Sequence, residues 1–286
     1  MVQHNPELDI LVNEIGHLRP LPAVAVRVLE IAESDHFSAH ELAHAISSDA
    51  ALTATLLRLS NSAYYGFPRR ITTVRDAVVL LGFRAVRSAT LAACVVDAFP
   101  GGEVVDPLQA WRYAITVGLL SEVLARSTRQ HMDEAFTAGM LHNIGRLALD
   151  QHRPAMLEAS KRVAEGRDIS IPEAQQQVLG FTDAELGGAL ALHWSFPPEL
   201  AASVARHHLD VNDLPDRDSL AAFVVRARLF ARASGIHDGF DVPRERGRPS
   251  PEWGEPPVRK AMAEHGGIEG ILDRVSAFVE SSGLAR

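Results

Sequence analysis

Two histidines and a glutamate in the first fifth of the chain have the spacing of a zinc site. His40, Glu41 and His44 form an HExxH pattern, in which histidines one helical turn apart bind zinc and the glutamate activates water. The extended metzincin pattern fails, because Ser47 stands where a glycine belongs and Ala50 where a third histidine would be. Apolar residues in the same stretch would take the buried side of a helix. We therefore interpret the match as a solvated helix face.

A second set of polar residues lies among apolar neighbours in the other half of the chain. His142 and Asn143 interrupt a helical pattern that runs from Phe136 to Leu147, so we place the pair in the middle of one helix. Burying such polar groups without hydrogen-bond partners is costly. The histidine is therefore either a metal ligand or a base, or a core residue that is hydrogen-bonded. The histidine pair at 207–208 closes a later helix, where basic groups suit the helix dipole. A divalent site normally needs three convergent ligands, so residue types alone favour the core interpretation.

Other catalytic chemistries find little support in the sequence. There is no glycine-rich dinucleotide loop, no phosphate-binding P-loop and no serine nucleophile elbow. The single cysteine, Cys94, lies in an apolar helical stretch, which predicts a core residue rather than a nucleophile.

The elements that would position these groups are almost all helices, since apolar residues recur at three- and four-residue steps. We predict carboxyl-terminal helix caps at Gly166 and Gly180. Four capping boxes predict helix starts: Ser38 with Glu41, Thr73 with Asp76, Ser170 with Glu173, and Thr182 with Glu185.

Proline and glycine divide the helical pattern into two predicted lobes. Residues 100–107 oppose helix continuation, so we predict a first lobe over residues 1–105 and a second over residues 106–286. Five prolines and three glycines fall within residues 238–257, which we predict to be a loop or disordered linker. A single amphipathic helix then follows and is expected to dock on the second lobe.

One loop in the first lobe concentrates aromatic and turn-forming residues. It ends a helix and could contact a partner or the other lobe, but its glycine and the proline after it are explained by turn conformation alone. We favour the second interpretation. The residues concerned are Asn61, Ser62, Tyr64, Tyr65 and Gly66.

Composition excludes some classes of function. The 286 residues carry 28 lysines and arginines against 36 aspartates and glutamates, a net charge of −8. That charge argues against binding nucleic acid through its phosphates. A lone cysteine and an acidic amino terminus predict a reducing, cytoplasmic setting. No apolar run approaches the roughly 20 residues that would cross a bilayer, so no membrane association is expected.

Several segments, taken in order, resemble the HDOD family, the bacterial HD-related output domain. The resemblance is carried by residues 18–25, 46–53, 57–66, 71–82 and 187–194, together with the histidines at 142 and 207–208, and it spans residues 18 to about 235. It implies an all-α, two-lobed helical fold. The second lobe would be a degenerate relative of the helical bundle of HD-type phosphohydrolases.

The resemblance also implies where the metal ligands of catalytic HD domains would fall. The early histidine corresponds to Tyr113, the His-Asp pair to His142 and Asn143, a further histidine to Ala184, and the late aspartate to Arg228. His207 and His208 would remain as ligand types. A guanidinium beside a divalent cation is unfavourable, because arginine keeps its positive charge. We therefore expect no metal, no cofactor and no catalysis.

The function expected from the resemblance is a non-catalytic regulatory module in bacterial signal transduction. Its partners would be signalling proteins, with response regulators and cyclic-dinucleotide proteins as the implied classes. One alternative is a metal-dependent phosphohydrolase or phosphodiesterase that uses His142, His207 and His208. Another is a binding site for a nucleotide in the cleft that is the active site of catalytic HD domains. Arg146 and Arg228 would then hold its phosphate.

Overall fold

The helical prediction is confirmed across the part of the chain that the computed structural model describes. No strand occurs among these residues, which are 5–18, 23–33, 38–61, 69–99, 101–128, 132–214, 216–240 and 249–282. Among the helices in these ranges, none combines the length and the apolar character needed to span a bilayer.

Six helices lie among the described residues of the first third of the chain. Ser38 and Thr73 cap two of them as predicted, each accepting a hydrogen bond from the backbone N–H three residues later. Cys94 is buried, which confirms its core position. The helices are α1 (Pro6–Leu18), α2 (Ala23–Glu33), α3 (Ala39–Ser47), α4 (Ala50–Ser60), α5 (Val74–Leu81) and α6 (Phe83–Ala98).

Ten further helices follow among the described residues, and four of them, α8, α14, α15 and α16, pack on the long, mostly buried helix α7. Helix α8 crosses α7 closely at two glycines: a Cβ on Gly139 would lie 2.6 Å from the Cα of Gly118. The helices are α7 (Pro107–Thr128), α8 (Met132–Leu141), α9 (Ile144–His152), α10 (Pro154–Arg167), α11 (Ile171–Leu179), α12 (Asp183–His193), α13 (Pro198–Ala205), α14 (Leu220–Ala233), α15 (Pro256–Glu264) and α16 (Gly267–Ser282).

The predicted helix ends in this region hold, with one exception. Ser170 and Thr182 form complete capping boxes, and Gly180 ends α11 in the left-handed conformation with φ +77°. The prediction of a cap at Gly166 is wrong. Helix α10 continues through Arg167, and Asp168 takes the left-handed position with φ 58°. Aspartate tolerates this conformation because its short polar side chain can bond locally.

The prediction that His142 and Asn143 lie in the middle of one helix is also wrong. Helix α8 ends at Leu141 and α9 begins at Ile144. Asn143 lies between them at φ −95°, ψ 11°, a bridge conformation that interrupts the helical ladder. The apolar periodicity continues through the break, so it could not reveal the junction.

The described flanks of the loop or linker predicted at residues 238–257 pack into the protein. Residues 241–248 lie outside the described ranges. Glu252 is buried, accepts from Arg226 at 2.5 Å, and is followed by Trp253, whose ring stacks on Phe230 at 4.2 Å. Helix α15 begins within this predicted loop, at Pro256. The described chain therefore ends in two helices, α15 and α16, where the sequence predicted one. Prolines at 256 and 257 occupy the first turn of α15, where proline starts a helix rather than breaking one.

The connection before α7 is anchored by a buried carboxylate on α9. Asp150 accepts hydrogen bonds from the backbone N–H groups of Glu103, Val104 and Val105, at 2.8 to 3.0 Å. The close approach requires a glycine, since a Cβ on Gly102 would lie 2.2 Å from the Cγ of Asp150. The residues between the two predicted lobes are therefore held in place rather than loosely linked.

Contacts also cross the predicted lobe boundary elsewhere. Helix α1 packs against α12, where Gly16 lies directly against the ring of His193. Glu14 on α1 pairs with Arg153 at 2.5 Å. Helix α16 packs on α7, as expected for docking on the second lobe, and also reaches α4 of the first.

Candidate functional site

The HExxH residues form a solvent-exposed helix face, as predicted. His40, Glu41 and His44 are exposed on α3, whose buried face carries Leu42 and Ile46. This confirms the solvated-face interpretation.

Only the first residue of the aromatic loop can be placed. Asn61 ends α4, and its side-chain amide donates to the carbonyls of Leu57 and Ile71, both at 2.7 Å. Its Oδ1 accepts from the N–H of Ile71 at 2.7 Å. Asn61 thus closes the base of the loop. The other predicted residues, Ser62, Tyr64, Tyr65 and Gly66, lie outside the described residues.

The buried polar groups of the second lobe meet around two histidines. His142 donates through Nδ1 to the carbonyl of Gly139 at 2.5 Å, and His207 donates through Nδ1 to that of Val204 at 2.7 Å. Their rings meet edge to face with centroids 5.1 Å apart. Each therefore presents a buried Nε2, and neither Nε2 has a hydrogen-bond partner among the described residues.

Burial keeps both rings neutral. It lowers the pKa of His142 to about 3, and the positive charges of Arg228 and Arg146 act in the same direction. Burial also lowers the pKa of His207 well below its ordinary value, with His208 adding to the effect.

Beside these rings, hydrogen bonds link seven residues into a closed circuit. Arg228 approaches His208 (Nη1 to Nδ1, 3.5 Å), and His208 donates to Asp183 (Nε2 to Oδ1, 2.5 Å). Arg146 donates to Asp183 (Nε to Oδ2, 2.7 Å) and to Asp238 (Nη1 to Oδ2, 2.5 Å).

The circuit closes through α7 and α14. Arg232 donates to Asp238 through Nη2 at 2.7 Å and to the Tyr113 hydroxyl through Nε at 3.1 Å. That hydroxyl in turn lies 3.4 Å from the backbone carbonyl of Arg228, to which it donates. The seven residues come from four helices, α7, α9, α12 and α14, and from the segments that follow α13 and α14.

Asp183 is charged at the centre of this circuit. Its burial alone would raise its pKa, but the Arg146 guanidinium and His208 hold the pKa well below its ordinary value. Both carboxylate oxygens are occupied, one by each of these partners.

The structure brings together most of the residues that the resemblance singled out. Tyr113 packs on His142 with ring centroids 5.6 Å apart, and Arg228 reaches His208. Asn143 is buried next to His142 and starts α9 through its backbone carbonyl. Ala184 is buried but has only a methyl group to offer.

Sequence reasoning missed the two acidic members of the circuit and Arg232. Asp183 immediately precedes Ala184, but an acid in the first turn of a helix is explained by the helix dipole. Asp238 was assigned to the start of a loop. Nothing in the local sequence marks Asp238, because its burial and the contact of the nearby Phe240 ring with the Arg146 guanidinium exist only in the folded chain.

A divalent cation fits this arrangement poorly. In favour of one, potential ligand atoms of Asp183, His207 and His208 lie within 4.8 Å of one another, and His142 has an unpartnered Nε2. Against it, this set contains a single carboxylate, and both of its oxygens already bind cationic or N–H donors. The field of Arg146 and Arg228 already disfavours a positive charge on His142. The arrangement suits a guanidinium rather than a metal.

These features define an all-α protein in which the helices from α7 onward surround buried histidines, arginines and aspartates. The family model of the HDOD domain matches residues 18–209. The chain belongs to the HDOD family.

Three solved structures share the fold over nearly the whole chain. An HDOD domain protein of unknown function from Geobacter sulfurreducens has a TM-score of 0.77 and 22% identity, covering 96% of this chain and 98% of its own. A provisionally named phosphohydrolase from Shewanella amazonensis SB2B has a TM-score of 0.71 and 25% identity, and the match covers 98% of this chain and 97% of that one. A provisionally named signal transduction protein from Marinobacter aquaeolei VT8 has a TM-score of 0.69 and 23% identity, and the match covers 99% of this chain and 62% of that one.

One curated relative, an uncharacterized protein of Treponema pallidum (strain Nichols), is 24% identical over 205 residues. The match covers 69% of this chain and 39% of the relative. This chain therefore spans about two fifths of the length of that protein.

Proposed function

We propose that this protein is a non-catalytic regulatory module of bacterial signal transduction that acts by binding a partner protein. The observation that carries the proposal is the position of Arg146, whose guanidinium bridges Asp183 and Asp238 inside the bundle. A metal-dependent phosphohydrolase needs its carboxylates for a cation. Here a side chain that keeps its charge occupies both of them.

A protein partner accounts for the closed centre better than a nucleotide does. Arg146 and Arg228, the residues expected to hold phosphate, are both buried and already engaged with neighbouring side chains. A phosphate would have to displace Asp183 or Asp238 from Arg146. Binding at the outer surface requires no such exchange. Response regulators and cyclic-dinucleotide proteins remain the partner classes that the family resemblance implies.

Hydrolysis assays test the absence of catalysis. The intact protein is incubated with phosphomonoesters, linear phosphodiesters, nucleotides and cyclic dinucleotides, each with Mg²⁺, Mn²⁺, Fe²⁺ or Zn²⁺. We expect no turnover above that of a His142→Ala variant. Turnover that this substitution abolishes would overturn the proposal.

The second candidate, an HD-type phosphohydrolase, rests on one specific observation. His142 and His207 both donate through Nδ1 to a backbone carbonyl and leave Nε2 unpartnered, which is the orientation that metal-binding histidines commonly take. The provisional name of the Shewanella protein points the same way. Under this alternative the Arg146 bridge would have to open to release Asp183.

A thermal-shift screen distinguishes the small-ligand alternative. A ligand at about 100 times its Kd adds about 2.7 kcal/mol to the free energy of unfolding. We expect no stabilisation by mononucleotides or cyclic dinucleotides at such excess. A rise in Tm that is lost in Arg228→Ala would indicate that a nucleotide binds beside Arg228.

A further inference from the structure

A short segment of the chain fills the space beside Arg146 in the way that a ligand would. Residues 236–240 follow α14 and lie outside any helix, yet Asp238 and Phe240 are only 6% and 2% exposed. Oδ2 of Asp238 accepts from Arg146 at 2.5 Å and from Arg232 at 2.7 Å. Two guanidinium groups from different helices thus converge on one carboxylate oxygen.

The ring of Phe240 lies against the same cluster. The guanidinium carbon of Arg146 is 5.0 Å from the ring centroid, and the ammonium nitrogen of Lys161 is 5.6 Å from it. Both are cation–π contacts. The N–H of Phe240 also donates to Oδ1 of Asp238 at 3.2 Å. The acid and the ring therefore form one unit, residues 238–240, which we call the plug.

The backbone ties the plug to the protein at one point. The carbonyl of Gly239 accepts from the Asp106 N–H at 3.0 Å, the single backbone-to-backbone hydrogen bond that residues 237–240 form with the described part of the chain. Gly235, which follows α14 at φ +79°, lies in open space. Side chains rather than a backbone ladder hold the plug, so its withdrawal would break no helix.

The charges of the centre favour an oxyanion where Asp238 lies. The circuit holds three arginines and two aspartates. Without Asp238, Arg146 and Arg232 would lose the carboxylate that they share, which is costly for buried charges. Guanidinium groups match carboxylate and phosphoryl oxygens in both geometry and charge. The side chain of Arg232 is 16% exposed, so the pocket borders solvent.

We propose that Arg146 and Arg232 form an oxyanion-binding site, and that the plug is an autoinhibitory element that occupies it in this conformation. Asp238 takes the position of the oxyanion, and Phe240 covers it. The ligand is a carboxylate or phosphoryl group that binds when the plug withdraws. This inference goes beyond the proposed function, because it requires neither a particular partner nor the absence of catalysis. It also agrees with the expectation that nucleotides do not stabilise the parent protein, in which Asp238 is in place.

Thermal unfolding tests the oxyanion site. Asp238→Ala opens space between the two guanidinium groups, so about 50 mM phosphate or acetate should raise the Tm of this variant by at least about 3 °C relative to sodium chloride of equal ionic strength. The parent protein should show at most the general stabilisation that such salts give. Comparison of the two anions shows whether the site prefers a phosphoryl or a carboxylate group.

Two matched variants locate the effect. Asp238→Asn keeps the volume of the side chain and leaves no room for an anion, whereas Asp238→Ala combined with Arg232→Met removes one of the two guanidinium groups. Neither should respond to phosphate or acetate beyond the parent protein. Absence of a rise in Asp238→Ala, or an equal rise in Asp238→Asn or the parent protein, would overturn the oxyanion site.

Hydrogen exchange of the parent protein, resolved by NMR, tests the plug without requiring any variant to fold. The Asp106 N–H is held by Gly239, whereas the adjacent Val105 N–H is held by Asp150 on α9. An anion that binds only the open state increases the population of that state. About 50 mM phosphate or acetate should therefore speed exchange of the Asp106 amide at least about threefold relative to sodium chloride. The Val105 amide should not change.

A purely structural role for the plug gives the opposite result. If residues 238–240 only fasten the segment after α14, exchange of the Asp106 amide should be unchanged or slower with the anion. Either result would overturn the autoinhibitory role. Neither experiment involves hydrolysis or a partner protein, so failure here is distinguishable from failure of the proposed function.

Discussion

The Nε of Arg146 donates to Oδ2 of Asp183 across 2.7 Å, with both side chains almost completely buried. This one contact joins α9 to α12 and uses a carboxylate that lies beside His207 and His208. The same guanidinium also bonds Asp238, so one arginine bridges two buried acids, and Arg232 adds a second cation at Asp238. The centre of the bundle therefore has its own internal cation.

Removing that cation should cost much of the stability. We expect Arg146→Met to lower the free energy of unfolding by about 3–5 kcal/mol, because both carboxylates would stay buried after losing the guanidinium between them, with only His208 left on Asp183 and Arg232 on Asp238. Urea denaturation at neutral pH measures the change. Arg126→Met, which breaks partly exposed pairs with Glu122 and Glu264, should cost about 1 kcal/mol or less. Similar losses for the two variants would contradict the role given to Arg146.

The buried histidines should make the protein acid-sensitive at mild pH. His142 has a pKa of about 3 when folded and 6.5 ordinarily, so between these values the unfolded chain binds a proton that the folded chain does not. Stability contributed by the neutral ring is complete above pH 6.5 and falls as pH decreases, by about 2 kcal/mol at pH 5. Asp183, whose pKa is lowered, loses its contribution only at pH values below its ordinary 3.8.

The measurement for the histidine is the free energy of unfolding at pH 7 and pH 5. His142→Gln should be less stable at pH 7 but should lose about 2 kcal/mol less than the parent protein on acidification. His40→Gln, at an exposed position, should follow the parent protein. An unchanged pH dependence in His142→Gln would show that His142 is not held neutral.

Asp150 should control the stability of the connection that precedes α7. Asp150→Asn keeps the size of the side chain but replaces one accepting oxygen, so we expect a loss of about 2 kcal/mol in the free energy of unfolding. Gly102→Ala should cost at least as much, since its Cβ would meet the carboxylate at 2.2 Å. Gly166→Ala, in open space on α10, should instead stabilise the protein by about 1 kcal/mol. A neutral Gly102→Ala would contradict the tight anchoring.

Asn61 should matter for folding rather than for partner binding. Its three side-chain hydrogen bonds hold Leu57 and Ile71 at the base of the loop, so Asn61→Ala should reduce the free energy of unfolding by about 2 kcal/mol. Urea denaturation of the parent protein and the variant measures the loss. A stable variant that loses partner binding would favour the alternative interpretation of the loop as a contact site.

Local patterns in the sequence predicted the helices and their starts well, because caps such as Ser170 and Thr182 are satisfied by residues three positions away. The histidines of the candidate site were also found, since a polar pair among apolar residues stands out at 142–143. Asp183 and Asp238 were not found, because their partner Arg146 lies 37 and 92 positions away in the sequence. Only the packing of α9, α12 and the segment after α14 brings these charges together.

The sequence analysis missed the helix break at Asn143 and the start of α15 for related reasons. Apolar spacing continues across the α8–α9 junction, so periodicity cannot distinguish one helix from two. Proline breaks a helix in its interior but favours a helix start in its first turn. The residues around Pro256 and Pro257 do not show which of the two applies.

Metal content tests the central claim most directly. The intact protein and His142→Ala are purified without added chelator or metal, and their transition metals are measured by elemental mass spectrometry. The Arg146 bridge predicts far less than one metal ion per chain in both proteins. About one metal ion per chain in the parent protein, lost in His142→Ala, would contradict the non-catalytic function and make phosphoester hydrolysis the next reaction to establish.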